Sequence, residues 1–291
     1  MIRPTPRHLT GLAFIGPYLL LYVFLFVYPL LLGFDISLHR ADLFGAREWV
    51  GFDNYARLLA DAVFHQALGN TFKLAFLIVP TVTILTLALA LALNRATRDA
   101  AIFRGIFFSS SVLSVTIVTL IWRFILTPDA GLLAELLQGA GFQPIPFLSD
   151  PDLVIPALAM ATVWWSLGLP LMLFLAGLQQ IPGDVYEAAA LDGANRWTTF
   201  WRITLPSLRR TVLLVVMLQT AAHLQIFGQA QLLTAGGPSG ASRPIVLFIY
   251  EAAFGRWELG YAVAAAEVLF LLVLAITLLQ YWTVTRRESE A

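Results

Sequence analysis

Cysteine is absent from the 291 residues, lysine occurs once, at Lys73, and charged residues make up only 12% of the chain. Without cysteine there are no disulfides, thiol nucleophiles or thiolate metal sites. With one lysine there is no phosphate-binding loop, which needs Gly-x-x-x-x-Gly-Lys-Ser/Thr; Lys73 stands in Asn70-Thr71-Phe72-Lys73-Leu74. The chain is therefore not expected to hydrolyse ATP itself. Its formal net charge is zero, and no basic stripe of the kind that grips nucleic acid is present. The four histidines, His8, His39, His65 and His223, are scattered, so no metal site is expected.

Apolar residues fill the space that charge leaves. They form 59% of the chain, with a mean hydropathy of +0.78. A soluble domain carries about 25% charged and about 45–50% apolar residues. An excess this large has no soluble core to hide in, and the bilayer is the expected solvent.

About 20 apolar residues in helical form cross about 30 Å of hydrocarbon. Six stretches meet that requirement: 11–33, 71–93, 105–126, 153–178, 211–232 and 260–284. The first follows a basic N-terminus, but it is too long for a signal peptide and no small-residue cleavage site follows it. The fifth is the least regular, because Gln219, His223, Gln225 and Gln229 interrupt it. Prolines at 17, 29, 80, 156 and 170 fall inside the spans, as membrane bundles tolerate. The expected architecture is one all-α membrane domain of six transmembrane helices.

Arginine sets the orientation. One set of loops holds eleven basic residues: Arg3, Arg7, Arg95, Arg98, Arg104, Arg196, Arg202, Arg209, Arg210, Arg286 and Arg287. The alternate set holds five: Arg40, Arg47, Arg57, Arg243 and Arg256. The richer side is cytoplasmic, which places both termini inside.

The cytoplasmic loop 182–206, between the fourth and fifth spans, is ordered in character. Pro182, Gly183 and Asp184 suit a helix start, Val185–Leu191 is rich in helix formers, and Gly193 stands where a helix would stop. Residues 195–205 resume a helical pattern until Pro206. Ala188, Ala189 and Ala190 leave one face smooth, while Trp197, Phe200 and Trp201 put large aromatics outside the spans. From these residues alone two readings stand. The loop is a mechanical knob for another protein's groove, or an amphipathic helix lying in the headgroup layer.

Glu187-Ala188-Ala189, Asp192-Gly193-Ala194 and Ile203-Thr204-Leu205-Pro206, at their spacing, resemble the EAA loop of binding-protein-dependent ABC transporter permeases. Trp49-Val50-Gly51-Phe52-Asp53-Asn54-Tyr55, Ala67-Leu68-Gly69-Asn70-Thr71, Leu232-Leu233-Thr234-Ala235-Gly236-Gly237-Pro238 and Gly260-Tyr261-Ala262 extend the likeness over essentially the whole chain. They are similar to carbohydrate-uptake permeases of the maltose and glycerol-phosphate type, in particular the first member of the permease pair.

The resemblance implies a type I ABC importer in the prokaryotic cytoplasmic membrane. Its other parts would be a homologous second permease, two ATPase subunits carrying ATP and magnesium, and an extracytoplasmic solute-binding protein. It implies that Glu187, Ala188, Ala189, Asp192 and Gly193 dock on the ATPase, with Leu205 and Pro206 fixing the second arm. It also directs attention to His223, Gln225, Trp164, Trp165 and Ser166 as lining a sugar path: amides would meet hydroxyls and aromatic faces the ring. Glu267 is expected to make a structural contact. A secondary transporter is the alternative class, although only Glu267 would serve it as an ion-coupling carboxylate.

Overall fold

The computed structural model describes residues 6–128 and 130–288. Arg3, on which the orientation reading partly rests, lies outside the described residues. Three helices are long and apolar enough to cross a bilayer, Phe14–Ser37, Ala62–Leu93 and Leu259–Thr283, or up to five if each of two bent helix pairs counts as one span.

The bends have local causes. The stretch expected as one helix over 105–126 divides into Arg98–Ser110 and Val115–Leu126, turned by 97°. Serines make that break. Ser109 Oγ and Ser110 Oγ donate to the carbonyls of Ile106 and Phe107 at 2.8 and 2.9 Å, and Ser114 Oγ caps the second piece by accepting from the Ile117 amide. Side-chain bonding of this kind competes with the helical ladder. The stretch 153–178 divides into Val154–Trp165 and Gly168–Gln179, bent by 50°. The polar stretch 211–232 is a helix only over Arg209–His223, and a short helix, Gly228–Leu233, follows after a break.

The chain falls into two compact units. One comprises the residues up to Asp61 together with Ile249–Leu271. Here the strands His39–Ala41 and Arg47–Trp49 form an antiparallel hairpin pairing His39 with Trp49. Buried Asn54 fastens it by donating from Nδ2 to the carbonyls of Ser37 and His39 at 2.8 and 2.9 Å. Arg57 pairs with Glu258 at 2.8 Å and stacks on the Tyr261 ring, whose hydroxyl donates to Asp61 at 2.6 Å. Glu267 lies beside Gly33: a Cβ on that glycine would stand 3.0 Å from Glu267 Oε1.

The other unit comprises Ala62–Phe248 and the residues from Leu272 onward. Its axis is the Ala62–Leu93 helix. Leu74, Ile78 and Val82 pack on Val154, Leu158, Ile226 and Leu247, while Ala90 joins Leu171, Phe174, Leu178, Leu208 and Val215. Near the start of that helix, buried Asn70 donates to the carbonyls of Gly240 and Arg243 at 2.9 and 3.1 Å, and Thr71 Oγ1 accepts from the Ile245 amide at 2.8 Å. These bonds fasten the glycine-rich segment that follows Leu233.

Candidate functional site

Two features stand out within the Ala62–Phe248 unit. The first is a cleft of about 610 Å³ where both bent helix pairs meet the broken end of the Arg209–His223 helix. Trp165, Ser166, Gln219, His223, Gln225 and Gln229 line it, together with Ser111 and Val115. Among the described residues, its lining holds no aspartate, glutamate, lysine or arginine.

Hydrogen bonds hold the frame. Trp165 Nε1 donates to the Leu113 carbonyl at 3.0 Å, and the Gly168 amide donates to Ser111 Oγ at 3.0 Å. Buried His223 donates from Nε2 to Gln219 Oε1 at 2.9 Å, one helical turn away. Gln225 is exposed, and its Nε2 donates back to the Ala221 carbonyl at 3.1 Å. A buried polar pair stiffens the wall, while the exposed amide of Gln225 stands at the space.

Four of the five residues expected along the path, Trp165, Ser166, His223 and Gln225, meet in this cleft. Trp164 does not join them. Successive helical side chains point about 100° apart, and Trp164 lines a separate apolar cavity of about 540 Å³, edge-on to Trp122 with ring centroids 6.1 Å apart. Ser111 is a polar lining residue that the sequence did not single out, and neither did it single out the apolar Val115, Leu169 and Phe227. The signal for Ser111 is the run Ser109-Ser110-Ser111 with Ser114, polar residues inside an apolar stretch.

Gly168 sets the width of this frame. A Cβ there would collide with Ser111 Oγ and come within 3.1 Å of Phe108 Cα. Overpacking of this kind costs about 1–3 kcal/mol. Gly168→Val is expected to lower the melting temperature of the detergent-solubilised protein, with Gly168→Ala in between; thermal unfolding of the three proteins checks the order.

The second feature is the loop after Gln179. Gly183–Leu191 is helical, and Gly193, at φ +73°, turns the chain out of it. The Ala194 amide bonds the Ala189 carbonyl at 2.9 Å and the Gly193 amide bonds the Ala190 carbonyl at 3.1 Å. That is the paired closure of a helix ended by a left-handed residue. Asn195 Oδ1 then caps Arg196–Thr199 by accepting from the Thr198 amide at 2.8 Å. Tyr186 OH and Thr204 Oγ1, 3.2 Å apart, tie the two arms together.

Ala189 is buried beneath the turn, whereas Glu187, Ala188, Ala190, Asp192 and Gly193 are exposed and Leu191 is 89% exposed. Leu205 is half-buried and Pro206 exposed at the far end of the second arm. The aromatics expected outside the spans cluster there, with Trp197 and Trp201 at 5.6 Å and Phe200 and Trp201 at 5.1 Å between ring centroids.

Comparison with known proteins gives consistent matches. Residues 82–289 match the family described as binding-protein-dependent transport system inner membrane component. A probable ABC transporter permease of Bacillus subtilis, YurN, is 32% identical over 272 residues, covering 92% of this chain and 93% of the relative. The multiple sugar-binding transport system permease MsmF of Streptococcus mutans is 32% identical over 280 residues, 96% of each chain. The trehalose/maltose transport system permease MalF of Thermococcus litoralis is 33% identical over 269 residues, 92% of this chain and 91% of that one. In fold, the chain is similar to a crystallised bacterial alginate ABC transporter chain, with a TM-score of 0.82 at 24% identity, covering 94% and 93% of the two.

Proposed function

From the premise that the chain belongs to the family of binding-protein-dependent transport system inner membrane components, we propose that it carries sugars inward as the permease subunit of an ABC importer. The observation that carries this reading is the loop 182–206: a short helix, a glycine turn and a second arm, with most of the first helix exposed. An exposed leucine and smooth alanines on a rigid, doubly closed helix end suit insertion into a partner's groove. In this reading the partner is a cytoplasmic ATPase, which binds ATP and magnesium. Its closure pulls on the loop and shifts the permease between outward- and inward-facing states, a two-state element biased by ATP.

The remaining parts follow from the same premise. Six spans place both ends of the chain in the cytoplasm. A homologous permease completes the pathway, two ATPase subunits drive it, and an extracytoplasmic solute-binding protein delivers the sugar. The cleft suits a neutral solute, because its amides, imidazole and indole offer hydrogen bonds and a ring face without fixed charge. A phosphorylated solute would call for an arginine there, and the described residues of the lining include none.

Purified from native membranes in mild detergent, the chain is expected to bring down a second permease and an ATPase. In proteoliposomes with the binding protein present, sugar uptake is expected to require ATP. A subunit that comes out alone and moves sugar down an ion gradient without ATP would overturn the assignment in favour of a secondary carrier.

A further inference from the structure

The two arms of the loop carry opposite charge. Residues 179–195 contain Asp184, Glu187 and Asp192 and no basic residue. Residues 196–210 contain Arg196, Arg202, Arg209 and Arg210 and no acidic one, together with Trp197, Phe200 and Trp201. Gly193 separates the halves. One partner surface of uniform charge cannot suit both arms.

We propose that the second arm is a membrane-surface anchor, with Trp197 and Trp201 seated in the headgroup region of the inner leaflet and Arg196 and Arg202 facing lipid phosphates. The proposal rests on the cytoplasmic placement of the loop given above, and it divides the loop between two partners: protein for the acidic arm, lipid for the basic aromatic one.

Three observations favour lipid over protein for the second arm. Trp197 is 71% and Trp201 50% exposed, yet they pack on each other and on Phe200 into one patch, an arrangement with little use in water. Tryptophan concentrates at membrane–water boundaries, where its ring is apolar and its N–H is wet. The arm also leads directly into an apolar stretch: Ser207 is followed, after Leu208, by the Arg209–His223 helix, whose apolar run begins at Val212. Finally, anionic leaflets attract arginine and repel carboxylates, which draws the second arm down and leaves the Gly183–Leu191 helix standing off the surface. Seated this way, the anchor is the fixed end against which the ATPase-bound helix moves, with the Gly193 turn between them.

The test uses the assembled importer in vesicles of phosphatidylcholine and phosphatidylglycerol. Trp197→Phe/Trp201→Phe removes two of the chain's eight tryptophans and keeps aromatic bulk at both positions. The wild-type spectrum minus the variant spectrum isolates the emission of this pair. With 6,7-dibrominated phosphatidylcholine in the vesicles, that difference emission is expected to lose most of its intensity, and aqueous iodide is expected to leave it nearly intact. Adding or stripping the ATPase subunits should not change either result. Emission that bromolipid leaves unquenched overturns the anchor, whether iodide reaches it or the ATPase shields it. A complex that never retains the ATPase, by contrast, is read separately by co-purification and would sink the importer assignment itself.

Discussion

Gly193→Val is expected to separate the permease from its ATPase: co-purified ATPase and ATP-driven uptake both fall about five- to thirty-fold, while the partner permease stays bound. The residue sits at φ +73°, and a Cβ built there meets nothing within 4 Å. Space is therefore not the obstacle; backbone conformation is. A non-glycine residue in the left-handed region costs about 1–2 kcal/mol, and a β-branched one fits it worst. That cost corresponds to a factor of about 5–30 in the population of the closed turn. Loss of the turn also releases the bonds from Ala194 to Ala189 and from Gly193 to Ala190 that hold the helix end. Asparagine tolerates the left-handed region, so Gly193→Asn is expected to restore most of the binding. If Val and Asn behave alike, the conformational explanation fails. If Val leaves ATPase binding untouched, this helix end is not the docking element.

The loop was legible because its signals are local. A helix start at Pro182–Asp184 and a stop at Gly193 each depend on backbone geometry that one or two residues dictate. The arrest expected at Pro206 does not occur: the proline sits in the first turn of Leu205–Ser207, where its missing N–H breaks no helical bond, and the helical course runs on through it. Long apolar runs likewise announced Ala62–Leu93 and Leu259–Thr283. The bends were harder to read. Gly105–Leu126 is apolar enough to read as one span, yet the chain turns by 97° where Ser109, Ser110 and Ser114 bond the backbone. Nor does sequence reveal that Ser111 Oγ accepts from the Gly168 amide, 57 residues away. Together with the bond from Trp165 Nε1 to the Leu113 carbonyl, that crossing contact puts the two bent pairs together and leaves a cleft beside them. The same limit explains Trp164 and Trp165. Their proximity in sequence suggested a shared task, but the helix turns one toward the cleft and the other toward Trp122.

The cleft offers a second large effect, and two glutamines six residues apart, Gln219 inside the Arg209–His223 helix and Gln225 just past its end, separate transport from stability. Gln225 is exposed at the cleft, just past the end of the Arg209–His223 helix, and bonds back to that helix through the Ala221 carbonyl. Gln225→Leu removes an amide available to a sugar hydroxyl, a bond worth about 0.5–1.5 kcal/mol. At saturating binding protein, the maximal uptake rate is expected to fall about two- to twelve-fold, with the melting temperature unchanged. Gln225→Trp goes further: it fills space in a cleft of about 610 Å³, and uptake should be lost altogether while the ATPase still co-purifies.

Gln219 answers differently. It is 7% exposed and accepts from His223, itself 5% exposed. Gln219→Leu strands the imidazole N–H in an apolar setting, and side-chain hydrogen bonds inside membrane bundles are worth about 0.6 kcal/mol on average and up to about 1.7. The melting temperature should therefore drop by a few degrees, with a smaller loss of uptake than Gln225→Leu produces. Measured side by side, the pair decides what the polar segment is for. Uptake lost at Gln225 without loss of stability makes the cleft a path for solute. Equal losses of stability at both positions, with uptake merely following, would make it a hydrogen-bonded seam and move the path elsewhere.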